Sequence, residues 1–238
     1  AGAIDAPLTD DRLAELDLLL LAVYPEAVVQ QLERLAPLLA PHTMVIDCAG
    51  TKARVCARAF PLAAEHGFRF LGGHPMAGTQ FSGFKYSRAD LFDGAPMVLV
   101  PPSFDDIELL DEAKRLLAPA GFGRISLTTA EAHDRRIAFT SQLAHVVSNA
   151  YIKSPTAMQH AGFSAGSYRD LTRVAKLNED MWTELFLENP ENLAEEIDTL
   201  IENLKLYSDA IKANDSGTLH ALLKDGREKK AIIDGEIF

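Results

Sequence analysis

Cysteine, tryptophan and basic charge are what this sequence is short of. It has two cysteines in 238 residues, Cys48 and Cys56. They make no disulfide framework, suit a reducing compartment and match no zinc-ligand spacing, so they read as small buried apolar residues. Lys and Arg number 23 against 34 Asp and Glu, a formal net charge of −11. With the basic residues scattered, this balance argues against nucleic acid or an anionic membrane as partner. An anionic ligand would have to be gripped by locally placed cations. The longest apolar run, residues 18–24, falls far short of the roughly 20 residues that span a bilayer. The first residues include Asp5, Asp10, Asp11 and Arg12 rather than a basic stretch followed by an apolar one, so no secretory signal shows and a soluble, cytoplasmic protein is expected. No metal site is expected either.

A phosphate-binding turn is also missing. A dinucleotide-binding domain opens with a strand, a G-x-G-x-x-G turn and a helix whose exposed amides hold the pyrophosphate, and an acidic residue about 20 positions on grips the ribose. Nothing before Leu18 supplies these. The one look-alike, Gly121-Phe122-Gly123-Arg124-Ile125-Ser126, precedes a strand instead of opening a helix and is a false positive.

What is present suffices for one large domain or two modest ones with a real core, since 47% of the residues are hydrophobic. Short apolar runs at 18–23, 44–46, 68–71, 97–100 and 125–127 alternate with amphipathic stretches at 25–39, 52–66 and 105–117. That alternation predicts an α/β fold with a mostly parallel sheet and helices on its faces. After about Thr128 the strand signals stop and three or four helical patterns follow. Asn189-Pro190-Glu191 is a strong helix start, and Leu193, Ile197, Leu200, Ile201, Leu204 and Ile211 make a long apolar stripe behind it.

The sequence Gly72-Gly73-His74-Pro75-Met76-Ala77-Gly78 carries the most chemistry. Pro75 keeps His74 extended, so its imidazole is expected at the carboxyl end of a strand, the edge where open α/β sheets bind ligands. A neutral histidine there can take a proton while a substrate is oxidised. The plainer reading is a turn histidine bonded to a backbone carbonyl. On the predicted helix 131–151, Asp134, Ala138, Ser141, Gln142, His145, Ser148 and Asn149 recur at helical spacing. They form a polar face of short side chains, suited to a wet crevice or to a packed interface between subunits.

These segments, with Asp47-Cys48-Ala49-Gly50-Thr51-Lys52, Thr79-Gln80-Phe81-Ser82-Gly83, Asp90-Leu91-Phe92-Asp93-Gly94, His133-Asp134, Ser141 to His145, and Tyr168-Arg169-Asp170-Leu171-Thr172-Arg173 with Trp182 beyond, occur in one order. In that order the chain resembles the prephenate dehydrogenase family along nearly its whole length. The resemblance implies a Rossmann-like doubly wound domain over 1–127, incomplete at its start, and a helical substrate and dimerisation domain over 128–238. It implies NAD- or NADP-dependent oxidative decarboxylation of prephenate in tyrosine biosynthesis, by a homodimer paired through its helical half. His74 becomes the proton acceptor. Arg173 becomes the forked cation for a carboxylate, with Asp170 one turn earlier placed to hold it. Substrate contacts are implied at His145, His133, Asp134, Gln142, Gly166, Trp182, Thr79 and Gln80. Cofactor contacts are implied at Ala22, Val23, Tyr24 and Pro25 after one strand and at Cys48, Ala49 and Gly50 after the next, Gly50 letting the backbone approach the nicotinamide.

Three positions depart from the family pattern. Gly50 stands where many members carry a serine that orients the histidine, Gln142 replaces a frequent histidine, and Gln80 a frequent acid. Thr51 brings a hydroxyl one residue away, which should point elsewhere. These changes leave arogenate open as the substrate, and feedback by tyrosine undetermined. Two other readings stand beside this one: an oxidoreductase of the same plan using Lys176, and a chain that binds an aromatic acid without catalysis.

Overall fold

The computed structural model describes residues 4–79 and 83–235. Gln80 lies outside the described residues. Five strands form one sheet in the order β1-β2-β3-β4-β5: β1 Leu18–Leu21, β2 Met44–Asp47, β3 Arg69–Pro75, β4 Pro96–Val100 and β5 Arg124–Leu127. The pairs β1–β2, β2–β3 and β4–β5 are parallel, and β3–β4 is antiparallel. The exception has a physical reason. Each parallel pair is joined through a helix, whereas no α-helix lies between β3 and β4 among the described residues, and a parallel return needs such a crossover.

Helices α1 (Pro25–Leu35) and α2 (Ala53–His66) cover one face of the sheet, and α3 (Ile107–Leu117) covers the other. Side chains on β2 alternate between the two cores, as a strand requires. Val45 joins Val28, Leu32, Val55 and Ala59, whereas Met44 and Ile46 join Leu109, Ala113 and Leu117. Helices on both faces make this the doubly wound arrangement expected from the alternation of runs.

From residue 130 the chain is helical: α4 (Ala130–Ile137), a π-helical segment (Ala138–Leu143), α5 (Ala144–Tyr151), α6 (Gly166–Thr172), α7 (Glu179–Leu187), α8 (Pro190–Lys212) and α9 (Ser216–Ile233). The strands end where expected, but packing divides the chain into compact units Ala1–Pro190 and Glu191–Phe238. Within the second unit, Asn214 turns the chain with φ 52° and Asp215 caps α9 by accepting from the Thr218 amide. Tyr207 of α8 donates its hydroxyl to the Leu222 carbonyl of α9 at 3.3 Å. Ile201, Leu204, Leu206 and Ile211 on α8, and Leu223, Ile232 and Ile233 on α9, are each more than half exposed. No described helix is long and apolar enough to cross a membrane.

Candidate active site

His74 lies on β3 opposite Val98 of β4, beyond the last β2–β3 pair at Ile46 and Leu71. The strand is therefore longer than residues 68–71, and Gly72-Gly73 belong to it rather than to a loop. Both glycines are needed for closeness. A Cβ at Gly72 would stand 2.6 Å from Cys56 Sγ, and one at Gly73 would collide with the Asp47 carbonyl oxygen.

The imidazole of His74 is half-buried, and its Nδ1 lies 2.9 Å from Nε2 of His133. His133 is almost wholly enclosed, with its Nδ1 2.7 Å from Asp134 Oδ1. Asp134 also accepts the Lys52 amide on Oδ1 at 2.7 Å and the Ala53 amide on Oδ2 at 2.8 Å. This acceptor-only carboxylate takes the Nδ1 proton of His133, so neutral His133 presents a lone pair at Nε2. His74 must then donate from Nδ1, which leaves its own Nε2 as the acceptor. Burial above all, with the neighbouring His133 and Lys52, pushes the His74 pKa down from 6.5 to about 3.

That shift carries a stability consequence. The unfolded chain takes up a proton at His74 as pH drops through about 6.5, whereas the folded protein does so only near 3. Folding stability from this group is thus complete above pH 6.5 and is lost as pH falls toward 3. The melting temperature is expected to decline across that window, and less steeply in a His74→Asn protein. Parallel profiles for the two proteins would contradict the assignment.

Asp134 serves also as the N-terminal cap of α2. The residue at the cap position, Lys52, makes no side-chain cap bond, and the two free amides there are answered from α4 instead. The Lys52 side chain turns inward and is completely buried. Its ammonium pairs with Asp47 Oδ2 and donates to the Gly73 carbonyl at 2.6 Å. Asp47 Oδ1 accepts the Gly73 amide at 3.1 Å.

The polar face of residues 131–151 is divided: Asp134, Ala138, Gln142 and Ser148 are at most 2% exposed, whereas Ser141, His145 and Asn149 are half-buried. The π-helical turn adds a residue to the helix and so resets which side faces in. Gln142 donates from Nε2 to the Leu185 carbonyl of α7 at 2.8 Å and accepts from Asn189 Nδ2 at 2.9 Å. Asn189 donates as well to the Asp134 carbonyl at 2.8 Å. Asp134 and Gln142, expected to touch substrate, are therefore engaged inside the protein and tie α2, α4 and α7 together. In the sequence Asn189 shows only as a helix start, and the Lys52–Asp47 pair is not legible. The one available signal was Asp47 itself, a charge closing a fully buried strand.

A second cluster lies on α5 and α7. His145 donates from Nδ1 to the Ser141 carbonyl at 2.9 Å and stacks on Trp182, ring centroids 3.8 Å apart. Burial lowers the His145 pKa, the Ser141 carbonyl opposes this, and the positive charge of Arg173 lowers it further. Arg173 is thus electrically close to the stack. It is exposed just past the end of α6, and no ion pair with Asp170 forms among the described residues. The expected holding role of Asp170 is not seen. Gly166 opens α6 with open space around it, and Thr79 is exposed. Among the described residues no bond joins this cluster directly to His74. Both share the helix running through 130–151, and Gln142 links that helix to the backbone of α7.

The segments expected to meet a cofactor follow β1 and β2 at the same carboxyl edge of the sheet that carries His74. Tyr24 stands at the N-cap of α1 and Pro25 at its first position. At Gly50 a Cβ would meet Leu185 Cδ2 at 3.0 Å, so packing against α7 also favours a glycine there. The Thr51 hydroxyl points to Glu188 Oε2 at 3.5 Å. Burial raises the Cys48 thiol to about 11 and the Cys56 thiol to about 12, so neither is an activated nucleophile.

Two family models match the chain: "Prephenate dehydrogenase, nucleotide-binding domain" over residues 1–126 and "Prephenate dehydrogenase, dimerization domain" over residues 129–225. The cyclohexadienyl dehydrogenase of Zymomonas mobilis is 31% identical over 94% of this chain and 77% of its own length. The prephenate dehydrogenase of Lactococcus lactis is 30% identical over 92% of this chain, which spans 62% of that protein. Among solved structures, prephenate dehydrogenase from Aquifex aeolicus in complex with hydroxyphenyl propionate and NAD+ superimposes with a TM-score of 0.79 at 26% identity, covering 95% of this chain and 80% of that one. Arogenate dehydrogenase from Synechocystis gives 0.78 at 27% identity, covering 96% and 82%.

Proposed function

This chain belongs to the prephenate dehydrogenase family, and we propose that it takes part in the oxidative decarboxylation of prephenate to 4-hydroxyphenylpyruvate with NAD as hydride acceptor, on the route to tyrosine. The observation that carries the reading is the Asp134–His133–His74 chain, which supports a neutral His74 whose Nε2 can receive the proton of the ring hydroxyl. As that proton arrives, His133 holds the ring from behind and Asp134 offsets the positive charge. The carbon bearing the hydroxyl gives up hydride, the ring carboxylate leaves as carbon dioxide, and aromatisation drives the step.

The fit of a nicotinamide rests on the strand ends: Ala22 to Pro25 after β1 and Cys48 to Gly50 after β2 share the edge where His74 stands. Those backbone groups would hold the nicotinamide end of NAD, which supplies the hydride acceptor when bound. Arg173 is assigned to a substrate carboxylate, because its guanidinium has no ion partner among the described residues while its charge reaches His145. His145 and Trp182 would form the wall against which the ring lies. The division into a nucleotide-binding part, 1–127, and a helical part, 128–238, is kept as the functional one. A homodimer paired through α8 and α9 is supported by their exposed apolar side chains and by the family model over 129–225.

The direct test offers the protein prephenate or arogenate, each with NAD+ or NADP+, and follows reduced nicotinamide. Formation with prephenate and NAD+ is expected. Turnover of arogenate alone would move the assignment to that substrate, and substrate binding without turnover in any pairing would favour a non-catalytic binder. Arg173→Ala is expected to raise the Michaelis constant for prephenate about 10-fold to 100-fold, read from initial rates. A normal Michaelis constant would remove Arg173 from the site.

A further inference from the structure

The peptide just before His74 is held in an unusual way. At Gly73, β3 has run past its last pair with β2, so the amide and carbonyl turned toward that side have no strand to bond. Asp47 and Lys52 take the strand's place: the carboxylate accepts the Gly73 amide and the ammonium donates to the Gly73 carbonyl. The two side chains neutralise each other in a site with no solvent exposure. Asp47 is itself fixed, since its Oδ2 also accepts the Ala49 amide at 3.0 Å. The Lys52 backbone is fixed by Asp134, the residue that orients His133. Two routes from one short segment, residues 47–52, therefore reach His74: one through the backbone of Gly73, the other through the His133 ring.

We infer that Lys52 and Asp47 are positioning residues for the base, a buried ion pair that stands in for a missing strand and sets the direction in which the His74 imidazole is presented. A buried pair is poor evidence of stability, because desolvation offsets the attraction, and two apolar residues would pack as well. What apolar residues could not do is satisfy both polar groups of the Gly73 peptide. The inference rests on His74 being the proton acceptor, but the geometry it asserts can be read without turnover.

The test compares wild type, Lys52→Met and the double variant Asp47→Asn/Lys52→Met. Long-range proton–nitrogen NMR of protein labelled in its histidine rings follows His74, assigned by its loss in His74→Asn. Among the described residues the charged and titratable groups around His74 are His133 and Asp134 from α4, Lys52 before α2 and Asp47 from β2, while β4 presents Val98. Removing the Lys52 cation is expected to raise the pH at which the His74 ring titrates and to disturb its Nδ1-protonated pattern. In the same proteins kcat should fall about 10-fold to 100-fold with KM within about twofold. The double variant leaves no unpaired charge and keeps an acceptor for the Gly73 amide, so it carries the test if Lys52→Met fails to fold. Ring signals and tautomer unchanged from wild type in a folded variant would overturn the inference. Ring signals that move in a protein showing no turnover at all would uphold the positioning geometry and count against the proposed reaction instead.

Discussion

Asparagine in place of His74 is expected to lower turnover by about 10²–10⁴-fold while leaving the affinity for prephenate within a few-fold of wild type. Asparagine suits the test because its amide can still donate to His133 Nε2, as His74 Nδ1 does at 2.9 Å, so the Asp134–His133 pair keeps its partner. What disappears is the lone pair at His74 Nε2, the only atom of that side chain free to receive a proton. The loss should therefore fall on kcat, since the interaction removed is made in the transition state, and calorimetric titration should still register substrate binding. The pH profile sharpens the expectation. His74 is neutral far below its ordinary range, so the acid limb of kcat/KM in wild type should lie below pH 6.5, and the residual rate of the variant should lack that limb. A kcat unchanged by the substitution would take His74 out of the mechanism.

Legibility varied with the range of the interaction. The five strands and the helices on both faces follow from short apolar runs and from side chains such as Val28, Leu32 and Leu35 recurring on one side of α1. These are local signals, and the structure agrees with them to within a few residues. The position of His74 was legible for the same reason, because Pro75 and the glycines act on the backbone next to them. The partners of His74 were not. His133 lies 59 residues away, in a helix whose other polar residues, Glu131, Asp134, Arg135 and Arg136, do not set it apart. The start of α2 carried no capping side chain because its cap comes from Asp134, 82 residues on. The polar face of residues 131–151 is legible as polar, but its spacing does not distinguish a wet crevice from a packed interface. Asp134 and Gln142 on that face instead bond to α2, α7 and Asn189, and a π-helical turn rotates the register midway. Arg173 and Asp170 sit one turn apart, yet no ion pair joins them, so helical spacing alone was a poor guide there.

The second large effect is expected at Asp134, which joins the chemistry to the fold. Its two oxygens receive the Lys52 amide, the Ala53 amide and the His133 ring, the first and last of these with almost no exposure to water and Ala53 half-buried. Asp134→Ala strands the two amides at the start of α2, where the helix dipole also loses its counter-charge. An orphaned buried donor costs about 1–3 kcal/mol, so the loss of stability should be about 3–5 kcal/mol in all, or a melting temperature lower by about 10 °C in a protein of this size. Asp134→Asn discriminates between the two roles. With its amide oxygen at the Oδ1 position, asparagine still accepts from the Lys52 amide and from the His133 ring, and its NH2 group faces only the Ala53 amide. His133 thus keeps its acceptor at Nδ1, but no carboxylate charge is left to offset the proton that His74 receives. Asp134→Asn should therefore melt closer to wild type than Asp134→Ala, yet lose at least about 10²-fold in kcat. If the two variants instead lost stability and activity in the same proportion, Asp134 would be a helix cap alone, and its charge behind His133 would have no part in offsetting that proton.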